Sequence, residues 1–231
     1  MRLSIVIPVL NEAKNNLTAF LAPLGSLRKA GHEIIVVDGG SGDTTALHAQ
    51  AYADSVITSP CGRARQMNAG AAAASGDVLL FLHADSTLPE NAVRLVEKAI
   101  DVSGRGWGRF DVRLSSDRPM LRLVAGLMNL RSRLTGTATG DQGIFVERKL
   151  FESVGGFPDL PLMEDVALST RLKQIERPIC LAAVITTSSR RWEKHGVWPT
   201  IWLMWRLRFA YWRGTDPATL VRIYYPDIER G

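Results

Sequence analysis

The feature that most limits what this 231-residue chain can fold into is a set of four short apolar runs separated by segments of helical period. The runs are Leu3 to Val9, Glu33 to Val37, Val78 to Leu82 and a weaker one, Ser55 to Thr58. Runs of this length, rich in Val, Ile, Leu and Phe, read as strands buried on both faces. Between them, Leu17, Phe20, Leu21, Leu24 and Leu27 recur at helical spacing, as do Thr44 to Ala53 and Ala64 to Ala74. The order βαβαβαβ predicts an α/β fold with a mostly parallel central sheet flanked by helices. Pro23 is expected to interrupt the first helix and Gly31 to end it. Asp43 is placed to cap the helix beginning at Thr44. Leu88-Pro89-Glu90 is expected to open a helix from Asn91 to Ile100, with the proline near its first position.

After Asp101 the alternation breaks down. Trp107 to Leu114 and Gly143 to Glu147 read as strands, and Arg118 to Arg133 as a basic helix. With 46% hydrophobic residues the chain can close one sizeable core, so a single domain is expected over residues 1–231. A charged fraction of 22% and a mean hydropathy near zero exclude disorder. The formal charge of +5 favours anionic partners without choosing among nucleotide phosphates, nucleic acid and acidic lipid. Cys61 and Cys180 have neither disulfide-framework nor zinc spacing, which fits a reducing cytoplasm. The N-terminus lacks a signal-peptide pattern, and no stretch of about 20 apolar residues occurs, so membrane contact is expected to be peripheral, on the inner face of the cell membrane.

Four segments carry chemistry. Ser4-Ile-Val-Ile-Pro8-Val-Leu-Asn11-Glu12 ends a strand in a proline turn and sets Asn11 and Glu12 beyond its carboxyl end, where open α/β sheets bind ligands. A turn with a helix cap accounts for these two residues equally well. The absence of GxGxxG here argues against a nicotinamide or flavin enzyme. Asp38 ends the second strand, where its carboxylate can accept from a base or ribose, and Gly39, Gly40 and Gly42 allow close approach of a ligand. Arg63 and Arg65 open the third helix, whose positive end suits a phosphate, although a solvated basic helix start reads the same way. His83-Ala84-Asp85 follows the fourth strand. If that strand continues, the imidazole and carboxylate point the same way and can hold Mn²⁺ or Mg²⁺ bridging two phosphates.

The motifs SIVIPVLNE, VVDGGSGDTT, GRARQMNAGAAAASGD and LLFLHAD, in this order over roughly the first 90 residues, resemble the nucleotide-sugar half of glycosyltransferase family 2, of the GT-A fold group. The resemblance implies that residues 1–100 bind the nucleotide sugar and 101–231 form the acceptor half. It implies nucleotide-sugar contacts from Pro8, Asn11, Glu12, Asp38, Gly40, Arg63, Arg65, Asn68, His83, Ala84 and Asp85. The family's Asp-x-Asp appears here as His83-Ala84-Asp85, which exchanges one carboxylate metal ligand for an imidazole. Gly140-Asp-Gln-Gly143, Gly155-Gly156-Phe157 and Leu162-Met-Glu164-Asp165 continue the likeness. They imply that Asp165 is the catalytic base, with Gly156 and Glu164 on the acceptor side. Both acids also suit the first turn of a helix running to Gln174.

Ser188-Ser-Arg-Arg191-Trp192 is similar to the Gln-x-x-Arg-Trp motif of processive members, with Ser188 in place of Gln. Arg191 would then meet diphosphate and Trp192 a sugar or acceptor. Loss of the Gln argues against a polysaccharide synthase. Five of the six tryptophans fall between Trp192 and Trp212 among arginines, as in a helix lying on a membrane with Arg206, Arg208 and Arg213 facing head-group phosphates, or else in a packed helix or dimer seam. The DQGIF, EDV and SSRRW segments resemble a small bacterial group named for arsenosugar biosynthesis and related to carotenoid-modifying glycosyltransferases. The expected activity is therefore inverting, metal-assisted transfer from a nucleoside diphosphate sugar, a UDP-sugar first, to the hydroxyl of a small-molecule or lipid acceptor. Two alternatives stay open: a nucleotidyltransferase, which usually shows a glycine-rich basic loop after the first strand where this chain has Pro8-Val-Leu-Asn11-Glu12, and a non-catalytic basic nucleotide- or nucleic-acid-binding module, favoured by the net charge and the Arg-Trp C-terminus but marked by no nucleic-acid motif. No nucleic acid is expected as a partner.

Overall fold

The computed structural model describes residues 1–224. β1 (Leu3–Val9) is followed by α1 (Leu17–Leu21) and α2 (Gly25–Lys29), then β2 (Glu33–Asp38), α3 (Thr45–Gln50), β3 (Ser55–Thr58), α4 (Arg63–Ala73) and β4 (Val78–Phe81). Pro23 sits in a 3-10 turn that separates α1 from α2, and Gly31 follows with a φ of +90°, as expected. Asp43 accepts from the amide of Thr45 at 3.0 Å, but α3 begins at Thr45, one residue later than expected, so Thr44 rather than Asp43 occupies its N-cap position. These four strands pair in parallel in the order β3-β2-β1-β4, which puts all their carboxyl ends on one edge.

The chain continues through β5 (Ser86–Thr87), α5 (Ala92–Ser103), β6 (Trp107–Leu114), α6 (Pro119–Thr135), β7 (Ile144–Glu147), α7 (Arg148–Ser153) and α8 (Glu164–Lys173). It ends its described part with β8 (Ile179–Thr187), α9 (Arg190–His195), α10 (Val197–Trp212) and α11 (Pro217–Tyr224). Pro89 is not in the first turn of α5. It lies in the preceding turn, and its carbonyl accepts from Ala92, the first helical residue. β7 runs antiparallel to β4, so its amino end arrives at the edge where β4 finishes. β6, β8 and β5 complete one sheet, β3-β2-β1-β4-β7-β6-β8-β5, that includes both halves of the chain.

Two apolar layers close the sheet. Leu3, Ile5, Ile7, Ile34 and Val36 face α1, α3 and α5, whereas Val6, Ile35, Val37, Leu79 and Phe81 face α4, α7 and α8. Alternation along β1 and β2 thus feeds both faces, as a doubly covered sheet requires. Helix α4 lies very close to the sheet at Gly70, where a Cβ would stand 2.3 Å from Val6 Cγ1.

Candidate active site

The site is built from loops at the shared carboxyl edge of β1, β2 and β4 together with the turn entering β7 and the head of α8. The loops after β1 and β2 are clasped together. Asn11, at a φ of +53°, accepts from the amide of Gly42 at 2.9 Å, and its own amide donates to Ser41 Oγ at 2.9 Å. The Glu12 and Ala13 amides both donate to Thr45 Oγ1, at 2.8 and 3.0 Å. The buried Asp38 carboxylate accepts from the amide of Ser41 at 3.0 Å and from its hydroxyl. Gly40 follows with a φ of +89° and open space beside it, which leaves the backbone approachable. Pro8 lies inside β1, opposite Val37.

Beneath these loops Gln66 donates to the carbonyls of Val9 and Val37, at 2.8 and 2.9 Å, tying the ends of β1 and β2 to α4. It is almost fully buried, and a Cβ on Gly39 would press on its amide at 3.1 Å. The two arginines at the head of α4 diverge in their partners. Arg63 lies near enough to Asp141 and Glu164 to act on both carboxyls, whereas Arg65 pairs with Asp159 at 2.8 Å on the surface. Asn68 bridges to the turn before α8, donating to the Phe157 carbonyl at 2.8 Å and accepting from its amide at 3.0 Å. Gly156 must be glycine there: its φ is +65° and a Cβ would meet Asn68 Oδ1 at 2.7 Å.

β4 ends at Phe81, so His83 and Asp85 do not share a strand face, and the expectation that they point the same way fails. The chain turns instead, with the amide of Ser86 donating to the His83 carbonyl at 3.0 Å. His83 faces Asp141, Nδ1 to Oδ1 at 3.6 Å, and its ring lies against Gly140, where a Cβ would come within 2.4 Å. Ala84 packs against the core, while Asp85 is exposed and its carbonyl accepts from Ser188 at 3.1 Å. Among the described residues, no three His, Cys, Asp or Glu side chains converge as a metal site.

The acids at the head of α8 differ. Asp165 accepts through Oδ2 from the amide of Gly140 at 2.8 Å and through Oδ1 from that of Val166 at 2.7 Å. Glu164 is buried, and burial followed by the charge of Asp165 raises its carboxyl above the ordinary 4.5, against the opposing pull of Arg63. Asp141 is the reverse. Burial would raise its carboxyl, but His83, Arg63 and Arg208 together hold it below the usual range.

The Ser-Ser-Arg-Arg-Trp segment enters α9 beside this edge. Arg190 donates to Asn15 Oδ1 at 2.7 Å, and Asn15 donates to Glu12 at 2.8 Å, which joins the last third of the chain to the loop after β1. Arg191 stacks 3.7 Å from the ring centroid of Tyr224 and donates to its carbonyl at 3.2 Å. Trp192 packs in an apolar cluster with Leu121 and Val124 of α6. Two surface hollows, of about 380 and 340 Å³, lie elsewhere, one over α1 and α2 and the other over α4 and α7.

The sequence profile of glycosyl transferase family 2 matches residues 4–145, well over half of the chain. The chain belongs to glycosyl transferase family 2. Residues 1–349 of S. aureus TarS superpose with a TM-score of 0.66 at 18% identity, covering 82% of this chain and 61% of that one. The same TarS fragment in complex with UDP-GlcNAc gives 0.66 at 20% identity, over 81% and 58%. The mannosyltransferase PcManGT from Pyrobaculum calidifontis, in complex with GDP-Man and Mn²⁺, gives 0.65 at 21% identity, over 90% and 61%. At these identities the likeness is one of fold, and the chain spans about three-fifths of the length of these neighbours. No functionally curated protein matches the sequence.

This family 2 chain thus brings Asp38, Arg63, His83, Glu164 and Asp165 to one edge, with Asp85 at its exposed margin. Arg65, Asn68, Arg191 and Trp192 are engaged with other parts of the protein. Three groups beside these acids escape sequence reasoning, Asp141, Arg131 and Tyr211, the last near enough to Asp165 for its hydroxyl to be raised, after burial, by that charge, while Arg208, expected to face head-group phosphates, is half-buried near Asp165 and Asp141 instead. Asp141 stands inside the Gly140-to-Gly143 motif, a signal that was available. Arg131, Tyr211 and Arg208 occupy helix faces whose orientation only the packing reveals.

Proposed function

We propose that this family 2 chain transfers a glycosyl group from a nucleoside diphosphate sugar, UDP-sugars first, to the hydroxyl of a small-molecule or lipid acceptor, inverting the anomeric carbon. The observation that carries this reading is the gathering of Asp38, Asp85 and Asp165 around one sheet edge in a chain of this family. The UDP-GlcNAc and GDP-Man complexes of two structural neighbours support the donor class. Asp38 and the open backbone at Gly40 would take the base and ribose, and Arg63 the diphosphate side. Asp165 would accept the acceptor's hydroxyl proton while that oxygen attacks the anomeric carbon. The bond from that carbon to the diphosphate then breaks, its electron pair leaving on the nucleoside diphosphate.

Asp85, exposed and fixed through its backbone, would hold a Mg²⁺ or Mn²⁺ ion of the kind that takes only one or two carboxylates from the protein. His83, directed at Asp141, does not share that role with it. Such an ion, when bound, would supply neutralisation of the diphosphate charge. Within the family we assign the chain to the small group named for arsenosugar biosynthesis, on the DQGIF, EDV and SSRRW segments.

We also propose peripheral attachment to the cytoplasmic face of the cell membrane. No helix among the described residues is long and apolar enough to cross one. Trp198, Trp202, Trp205, Phe209 and Trp212 form an exposed stripe along α10, and Leu123, Leu127, Leu130 and Leu134 form one along the neighbouring α6. Arg122, Arg206 and Arg213 accompany them, the combination that an anionic bilayer surface attracts.

Product analysis with a UDP-, GDP- and dTDP-sugar panel tests the activity. Release of nucleoside diphosphate with a glycosylated product is expected; release of pyrophosphate would instead mean nucleotidyl transfer.

A further inference from the structure

Arg109 and Arg131 bury guanidinium nitrogens in opposite circumstances. Arg109, fully buried in β6, donates to Ser132 Oγ at 3.0 Å, to the carbonyls of Phe110 and Asn129 at 3.1 and 3.2 Å, and to Asp111. Arg131, on α6, has Nε and Nη2 buried without any hydrogen-bond partner. Leaving charged donors dry and unpaired is costly, and natural structures keep few such groups, at strained or functional positions or where a water or ion binds.

The packing shows where Arg131 lies. Val124 and Met128 of α6 pack against Val197 and Ile201 of α10. Arg131 follows Val124 by two turns on the same face, and Arg208 follows Ile201 by two turns on the same face of α10. Both guanidiniums therefore fall on the α6–α10 seam. That seam continues toward the head of α8, because Met163 packs with Leu207, and Met204 and Tyr211 pack against the same cluster. Burial, and then the nearby charge of Arg208, lowers Arg131 to about 10, a mutual repulsion that Asp165 and Asp141 oppose only in part. Arg208 is lowered by burial as well, with the same two carboxylates opposing. Two cations thus face each other beside the carboxylates, and neither acid hydrogen-bonds to Arg131.

We infer that Arg131 and Arg208 form a phosphate-binding socket at the α6–α10 seam, beside Asp165, that takes a phosphoryl or pyrophosphoryl group of a substrate. Phosphate oxygens would supply the acceptors that Arg131 lacks, and a dianion would relieve the repulsion between the two guanidiniums. The group can belong to the donor's diphosphate or to a phosphate-bearing acceptor reaching the site along the exposed apolar stripes of α6 and α10. The socket stands whether or not the protein transfers a sugar.

Titration calorimetry on the full chain with inorganic pyrophosphate, UDP, uridine and a short-chain alkyl phosphate tests this without turnover. Wild type should bind pyrophosphate or the alkyl phosphate, and Arg131→Gln and Arg208→Gln should each weaken that binding about 10- to 100-fold, the scale of lost charge-assisted hydrogen bonds. Arg131→Lys should fall between, since it keeps the charge and loses the fork. Weakened UDP binding with unchanged uridine binding identifies the donor diphosphate, and weakened alkyl phosphate binding alone identifies the acceptor. Because Arg131 is unpaired, Arg131→Gln should melt no lower than wild type. The inference is overturned if wild type binds neither anion, if folded Gln variants bind both as wild type does, or if Arg131→Gln lowers the melting temperature while anion affinity stays unchanged.

Discussion

At the scale of single residues, the neighbouring acids Glu164 and Asp165 divide two tasks by their surroundings. Asp165 is held by two backbone amides, whereas Glu164 is buried with its carboxyl raised above 4.5 by burial and by Asp165. A raised carboxyl contributes stability that is complete below the unfolded value and lost as pH rises through the folded one. Glu164→Gln should therefore melt a few degrees higher than wild type at pH 7, with the gain vanishing near pH 4.5 and below, as thermal denaturation across pH would read. A gain independent of pH would refute the burial argument. Residue types in motifs are legible from sequence here: Asp38, Asp85 and Asp165 all stand where the spacing puts them, beyond strand ends or at a helix head. Partners are not legible. That His83 turns to Asp141, and that Asn68 serves the Phe157 backbone, depend on chain turns that bring distant segments together.

At the scale of elements, the first four strands and the helices between them follow from apolar runs and helical period, because strands covered on both faces leave an unmixed signal. β5 and β8 escape that reading. β5 has two residues, and β8 is mostly half-exposed, pairing with β6 through a register shift between Phe110 and Asp111, so its burial follows no simple alternation. The closeness of α4 to the sheet is equally invisible in the sequence. A Cβ at Gly70 would meet Val6 at 2.3 Å and Val37 at 2.9 Å, so Gly70→Ala should cost about 1–3 kcal/mol and lower the melting temperature by about 3–10 °C. An unchanged melting temperature would mean that α4 can withdraw freely. The exposed stripe on α10 makes a second prediction at this scale. Trp202→Ser with Trp205→Ser should weaken sedimentation with phosphatidylserine vesicles about tenfold without altering melting, given the apolar area that two indoles remove from water. Equal sedimentation of wild type and variant would reassign the stripe to protein contact.

At the scale of the whole molecule, one sheet carries the loops proposed to meet the nucleotide on β1, β2 and β4, while the second half returns to the same edge through β7, α8 and the Ser188 contact to Asp85. The formal charge of +5 announces an anionic partner only in general terms. The fold concentrates that charge where it can act, with Arg63, Arg131 and Arg208 around the carboxylates of Asp141, Glu164 and Asp165. The central claim is that this edge binds a nucleoside diphosphate sugar. Its most direct test is calorimetric titration of wild type, Asp38→Asn and Asp85→Asn with UDP-sugars in the presence of Mn²⁺. Wild type should bind, and each folded variant should lose about tenfold or more in affinity, the loss expected when a charged hydrogen-bonding or metal-sharing carboxylate is neutralised. Equal binding by all three proteins, or no binding of UDP-, GDP- or dTDP-sugars by wild type, would contradict the account.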